Sequence, residues 1–215
     1  MIYTDLNPEK ALIWRIIHRD NLAWVLDNGL HCGNSDIKAT NWISIGNQEL
    51  IDKRARHPVP VYPGGVLNDY VPFYFTPFSA MMKNILSGRN GVRRRGNEEI
   101  LILVSSIWRI QELELPFLFT DAHAYYRMTR FYSDPANLDK IDWNILQHRD
   151  FKRDNEDLAK FERYQAEALV YKYLPIQGLK GIVCYTDEMK QLVEQKVRAR
   201  NLDLAVHVRK GLYFQ

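Results

Sequence analysis

The chain has 215 residues, 46% hydrophobic and 26% charged, with a net charge of +3; this excludes a low-complexity chain and suits one domain with a buried core. Two cysteines without a CxxC, no apolar run near the ~20 residues of a membrane span, and no apolar signal core argue for a reduced, cytoplasmic protein, neither secreted nor membrane-bound. So mild a positive charge neither demands nor excludes nucleic acid, and the placement of the charge has to decide.

Residues 12–17 (LIWRII) are predicted to form a strand, followed by a helix over 21–28 that Asp20 or Asn21 would cap and Gly29 would end. Positions 30–47 read as polar and irregular, anchored by Trp42 and Ile43. A basic run, Lys53-Arg54-Ala55-Arg56-His57, then enters the Pro- and Gly-punctuated VPVYPGG. Residues 66–75 have the aromatic and β-branched content of a strand, and Pro72 within them argues for an edge or a bulge because it has no N–H to give. A short helix is expected over 79–86, stopped by Gly88. A glycine-rich, hairpin-like loop follows, with Arg89, Arg93, Arg94 and Arg95 on it. Apolar strands are expected at 99–105 and 116–120, and 121–164 reads as helices and loops lying over the body. The run 168–174 is too short for periodicity to separate helix from strand. Beyond it, 181–185 reads as a strand and 187–200 as a charged helix, with LAVHV and LYF as closing strands. No βαβ rhythm is evident, which favours an α+β fold.

Familiar enzyme signatures are missing. GxGxxG, GxxxxGK[ST] and GxSxG do not occur, and the histidines and cysteines lack metal-ligand spacing, so no metal is expected. What remains is a scattered set of complementary groups. Gln165-Ala166-Glu167 leads into an apolar run. A carboxylate at the mouth of a strand there could stabilise a ribosyl cation and take a proton from an acceptor; alone, the triplet far more often marks a glutamate on an exposed helix. Arg54 could fork onto a pyrophosphate or sit in a solvated loop. Lys83, Arg89, Arg93, Arg94 and Arg95, with no acid before Glu98, could follow a phosphate backbone. His123, within DAHAYYR, could hold a base by stacking and hydrogen bonds or be structural. His18 and Asn21 stand at a strand-to-helix junction, a usual place for ligand contacts.

The segments ALIWRIIHRDNLAWVLDNGLHCGN, KRARHPVPVYPGGVLNDYVPFYFTPFSAMM, EEILILVSS, LPFLFTDAHAYY, FERYQAEALVYKYLP and VHVRKGLYF, in that order from residue 11 onward, resemble the DarT family of DNA ADP-ribosyltransferase toxins. The resemblance implies an ADP-ribosyltransferase fold over a single domain, 1–215: two packed β-sheets, an NAD cleft between them and helices around. It implies sequence-specific transfer of ADP-ribose from NAD to thymidine in single-stranded DNA, releasing nicotinamide and blocking replication. A DarG-like macrodomain antitoxin is the implied partner. By the same resemblance Glu167 is the catalytic carboxylate and Arg54 the essential arginine, at the NAD phosphate or the reacting ribose. Arg15, His18 and Asn21 would belong to the NAD-binding segment, Arg15 standing where related sequences can carry His. His123 and Met81 would lie at the acceptor base, Gln165 would help choose the acceptor, and Arg93 and Arg94 would follow the DNA phosphates. Residues 121–164 would form the acceptor-recognition loop and helices. The residues themselves leave open an RNA or protein acceptor, plain NAD hydrolysis, and a nucleic-acid-binding module without catalysis.

Overall fold

A computed structural model describes residues 2–215. β1 (Leu12–His18) is covered on both faces, with Ile13 and Ile17 fully buried, which explains its continuous apolar run. A 3-10 turn (Arg19–Asn21) leads into α1 (Leu22–Asn28), which ends at Gly29 with φ 74°, a value that favours glycine. β2 (Leu30–His31) is brief, and residues 32–47 run irregularly to α2 (Gln48–Arg54), capped by the Asn47 side chain. Next come β3 (Tyr70–Tyr74) and α3 (Ala80–Ser87), which Ser79 caps and left-handed Gly88 closes. β4 (Ile100–Ser106), α4 (Ile107–Glu112), β5 (Phe117–Thr120) and β6 (Phe131–Tyr132) follow, then the short α5 (Trp143–Gln147) and α6 (Lys160–Arg163). The chain closes through β7 (Glu167–Tyr171), β8 (Tyr173–Leu174), β9 (Gly181–Cys184), α7 (Asp187–Arg198) and β10 (Ala205–Val208).

The α+β expectation holds. Eight strands lie in the order β10-β9-β4-β1-β3-β7-β5-β6, with β2 and β8 paired in a small second sheet. The large sheet is two half-sheets with one thin seam. β1 runs against β4 along all seven of its residues, and β3 against β7 along all five of its own, yet β1 and β3 share only the pair Trp14–Tyr74. Pro72 explains the seam. By strand order it is interior and in unbroken register with β7, neither the edge nor the bulge expected of it; by hydrogen bonding it behaves as an edge, because the neighbour that would need its N–H is splayed away. Its carbonyl accepts instead from Arg15 Nη1 at 2.8 Å, a side chain reaching across the gap from β1.

Three other expectations change. Residues 66–69 are not strand: 67–69 form a 3-10 turn, with Asp69 accepting from the Val66 N–H. β9, α7 and β10 form a parallel βαβ unit, so that rhythm is present once, at the sheet's outer end. LYF is no strand, since 210–212 turn as a 3-10 helix. Tyr213 instead plugs into the sheet, its hydroxyl donating to the carbonyls of Ile100 and Val183.

Segment 121–164 is not helices and loops alone, since its β6 joins the edge of the large sheet beside β5. Ion pairs of Lys160 with Asp150 and Asp154, and of Arg163 with Asp142 and Asp157, hold its course. Arg149 stacks 3.8 Å above Phe78 and near the rings of Tyr3 and Phe214. A small separate core of Val59, Leu67, Tyr70, Leu118, Ala124 and Leu169 lies under the turn at 57–66. Among the described residues no helix is long and apolar enough to cross a membrane, and no group of three metal-ligating side chains comes together.

Candidate active site

Glu167 is the first residue of β7 and stands opposite Tyr74 of β3, beside the seam. Its side chain is 1% exposed. Burying a charge so deeply is costly unless it is paired and hydrogen-bonded, and here it is both. Arg54 Nη1 donates to Oε1 at 3.0 Å and Nη2 lies 3.0 Å from Oε2, while the Ala124 N–H donates to Oε1 at 2.9 Å. His123 Nε2 lies 3.7 Å from the same oxygen. Burial pushes the carboxyl's pKa up, but Arg54, His123 and the Ala124 N–H outweigh it and hold the pKa below the ordinary carboxylate range.

Helix geometry selects Arg54 from its basic run. Lys53 and Arg54 end α2 rather than sitting in a solvated loop, and a period of 3.6 puts Leu50, Ile51 and Arg54 towards the cleft while Glu49 and Lys53 pair outside. Burial works against the Arg54 charge, and Glu167 more than restores it. Burial lowers the pKa of His123, and Arg54 lowers it further, against the pull of Glu167. Thr120 locks the arrangement: its hydroxyl donates to the Ala122 carbonyl at 2.6 Å and accepts from the Glu167 N–H at 3.0 Å. The turn carrying His123 is thereby fixed to the strand carrying Glu167.

The carboxylate looks into a cleft of about 450 Å3 that follows the seam. Arg15, Asn21, Arg54, Met81, His123 and Glu167 all line it, so six of the residues expected from sequence converge. Burial lowers the Arg15 pKa to about 10, helped by the neighbouring Arg54 charge. Two guanidinium groups against one carboxylate leave the floor positive and suited to a diphosphate. Asn21 shapes the wall, its amide both donating to and accepting from the Ile43 backbone at 2.9 Å. Trp42 meets Trp24 edge-on at 5.7 Å along the same wall.

The other expected residues lie elsewhere. His18 is buried but outside the cleft; Nδ1 accepts from the Asp20 N–H, and Nε2 lies 3.5 Å from Glu99. It ties β1 to the end of the arginine loop and does not itself line the cleft. Gln165 is half-buried outside the cleft, donating to the Phe161 carbonyl. Arg93 and Arg94 are exposed on the loop at 88–96, whereas Arg95 turns inward to Glu99. That loop does approach the cleft rim, since the Asn47 amide donates to the Asn90 carbonyl at 2.6 Å. Tyr74, Thr120 and the Ala124 N–H were not anticipated. Strand pairing could have flagged Tyr74, whereas the backbone donor carries no sequence signal at all.

A carboxylate kept charged at the floor of a cleft suits a reaction that passes through a ribosyl cation. With a sheet splayed along that cleft, fold and site together define the ADP-ribosyltransferase class. A family model described as ssDNA thymidine ADP-ribosyltransferase, DarT, matches residues 14–214. A DNA ADP-ribosyl transferase from Escherichia coli O127:H6 (strain E2348/69 / EPEC) is 62% identical over 98% of this chain and 96% of its own. Thermus sp. 2.9 DarT in complex with ADP-ribosylated ssDNA is 34% identical, with a TM-score of 0.88 over 100% of both chains. In complex with NAD+ it matches with a TM-score of 0.82 at 35% identity, over 96% of this chain and 99% of that one. Thermosipho africanus DarTG in complex with ADP-ribose shares the fold, with a TM-score of 0.75 at 16% identity, over 94% of this chain and 51% of that one. This chain belongs to the DarT family.

Proposed function

We propose that the chain is a toxin that transfers ADP-ribose from NAD to thymidine in single-stranded DNA, with Glu167 as the catalytic carboxylate. One observation carries the assignment of Glu167: it is held charged by Arg54 at the cleft floor beside the seam. NAD lies along the cleft with its pyrophosphate at Arg15 and Arg54 and its nicotinamide ribose at Glu167. The bond from C1′ to the nicotinamide nitrogen breaks, and its electron pair leaves with neutral nicotinamide. The ribosyl cation left behind is stabilised by the Glu167 charge, as carboxylates do in glycoside hydrolysis. A thymine ring nitrogen attacks C1′, and its proton passes to Glu167, a role worth roughly 10²–10⁴-fold in rate.

His123 and Met81 flank the acceptor base at the cleft mouth. Because His123 is kept from protonation by burial and by Arg54, it offers a neutral ring as hydrogen-bond partner. A base in a single strand needs no costly flipping to reach that point. Segment 121–164 forms the acceptor-recognition cover, and the exposed Arg93 and Arg94 follow the phosphates past the rim. His18 serves the site indirectly, by fixing the end of β1 against Glu99. Two buried cysteines, Cys32 and Cys184, remain unbridged, which supports a cytoplasmic setting, where both NAD and DNA are at hand. A DarG-like macrodomain that removes the mark is the partner that family kinship supports.

The test is a mass measurement on oligonucleotides incubated with protein and NAD. A gain of one ADP-ribose is expected on single strands containing thymidine and on none lacking it, and Glu167→Gln should lower the rate at least 100-fold. NAD consumption with every oligonucleotide unchanged would overturn the reading.

A further inference from the structure

The turn at 57–66 plays no part in the chemistry above, yet it is built as a rigid support. The Val59 N–H donates to the Gly65 carbonyl, Gly64 N–H to Val61, and Leu67 N–H to His57, while the Tyr70 hydroxyl donates to the Gly64 carbonyl at 2.8 Å. Gly64 and Gly65 adopt φ values near 80°, which other residues rarely accept. Val61 packs down onto the small core that also receives Tyr125 from the acceptor segment. At the tip Tyr62 points outward, 88% exposed. Single exposed apolar residues are ordinary. An aromatic ring at the tip of a turn pinned by four hydrogen bonds is less so, because the backbone that carries it is already ordered.

The turn is also continuous with the reaction centre. His57, at its base, packs its ring 4.8 Å from Tyr125, two residues from His123. Burial lowers the His57 pKa, and the nearby Arg54 charge lowers it further, so the base of the turn lies within the field of the site. Arg56 and Arg127 are exposed on the same two segments, and Met128 beside them is 73% exposed. Stacking faces alternating with guanidinium groups are how proteins hold single strands without reading a duplex. The arginine loop reaches the cleft rim through Asn47, and the tyrosine turn reaches His123 through Tyr125, so an acceptor strand has a support on each of two approaches.

We infer that Tyr62 is a stacking platform for a nucleotide flanking the target thymidine, making the 57–66 turn a second arm of the DNA site. The inference rests on the DNA-modifying reading above. A stacked base contributes to binding and is not touched by the chemistry, so Tyr62 acts on DNA affinity and leaves turnover and NAD handling alone.

The experiment compares wild type, Tyr62→Ala and Tyr62→Phe on thymidine-containing oligonucleotides shortened one nucleotide at a time from each end, with NAD binding measured in parallel. Tyr62→Ala is expected to raise KM for the longest oligonucleotide roughly 5- to 20-fold, the lower part of the range for one lost stack. Its kcat should stay within about twofold and its NAD affinity unchanged. Tyr62→Phe should restore wild-type KM. The penalty should vanish once the nucleotide that reaches the tip is removed, and only from one end. An unchanged KM in Tyr62→Ala, an equal loss in Tyr62→Phe, or a penalty persisting on the shortest modified oligonucleotide would each overturn the platform. Wild type failing on every oligonucleotide would instead bring down the DNA reading itself, and the platform with it.

Discussion

Arg54 and Glu167 are 113 positions apart in sequence and form one unit in space. Glu167 and Arg54 are both marked by the family pattern, since a carboxylate before an apolar run is by itself a weak signal. Neither signal said that the two are partners, since pairing across the fold depends on how α2 docks beside β7. The pairing has a measurable consequence. In Arg54→Gln, burial acts on the carboxyl with only His123 and Ala124 to oppose it, so its pKa rises. The acid limb of the activity profile should move to higher pH. Stability follows the same sign. The wild-type Glu167 pKa is depressed on folding, so its contribution is fully present above the ordinary carboxylate range, ~pH 4–5, and is lost as pH falls through the folded value. Urea unfolding of Arg54→Gln should therefore show a deficit of about 3–5 kcal/mol at neutral pH, narrowing in acid. A deficit independent of pH would mean that the pair contributes no charge-dependent stability.

The elements show a divide between local and non-local information. Helix ends are legible where the stop is written in the chain: Gly29 after α1 and Gly88 after α3. The parallel closure of β9 on β10 was missed, because a charged helix between two apolar runs says nothing about which edge the second run joins. LYF misled for the opposite reason, as Tyr213 is apolar through depth of burial and lies in no strand. Pro72 was read for what it lacks, and that loss does shape the sheet, though at an internal seam. Gly29 gives the sharpest element-level test. A Cβ there would lie 2.5 Å from the Leu174 carbonyl oxygen, in a backbone conformation already unfavourable for other residues. Gly29→Ala should cost about 1–3 kcal/mol, lower Tm by several degrees and, by disturbing the β2–β8 pair under the cleft wall, raise KM for NAD.

At the scale of the molecule, the +3 charge is too small to signal a polyanion partner, and its placement carries the information. Arg93 and Arg94 stay exposed where Arg95 is consumed by Glu99. Replacing both with Gln should weaken DNA modification while sparing NAD binding. The slope of log KM for DNA against log salt should flatten by about 1.4, at ~0.7 per phosphate contact on a single strand. Equal losses for DNA and NAD would refute that division of labour.

The thin seam also bears on how the enzyme comes into being. Its half-sheets are woven from interleaved stretches, β1, β4, β9 and β10 on one side and β3, β5, β6 and β7 on the other. Every side chain lining the cleft precedes residue 168. A chain ending at residue 180 would thus carry every cleft-lining side chain on a sheet with six of its eight strands. The missing pair, with Tyr213 behind it, is what backs β4 and, through β4, holds β1 and its Arg15 against the seam. A fragment cut at residue 180 should therefore hold every cleft residue yet bind NAD weakly, because β4 and β1 have lost their backing.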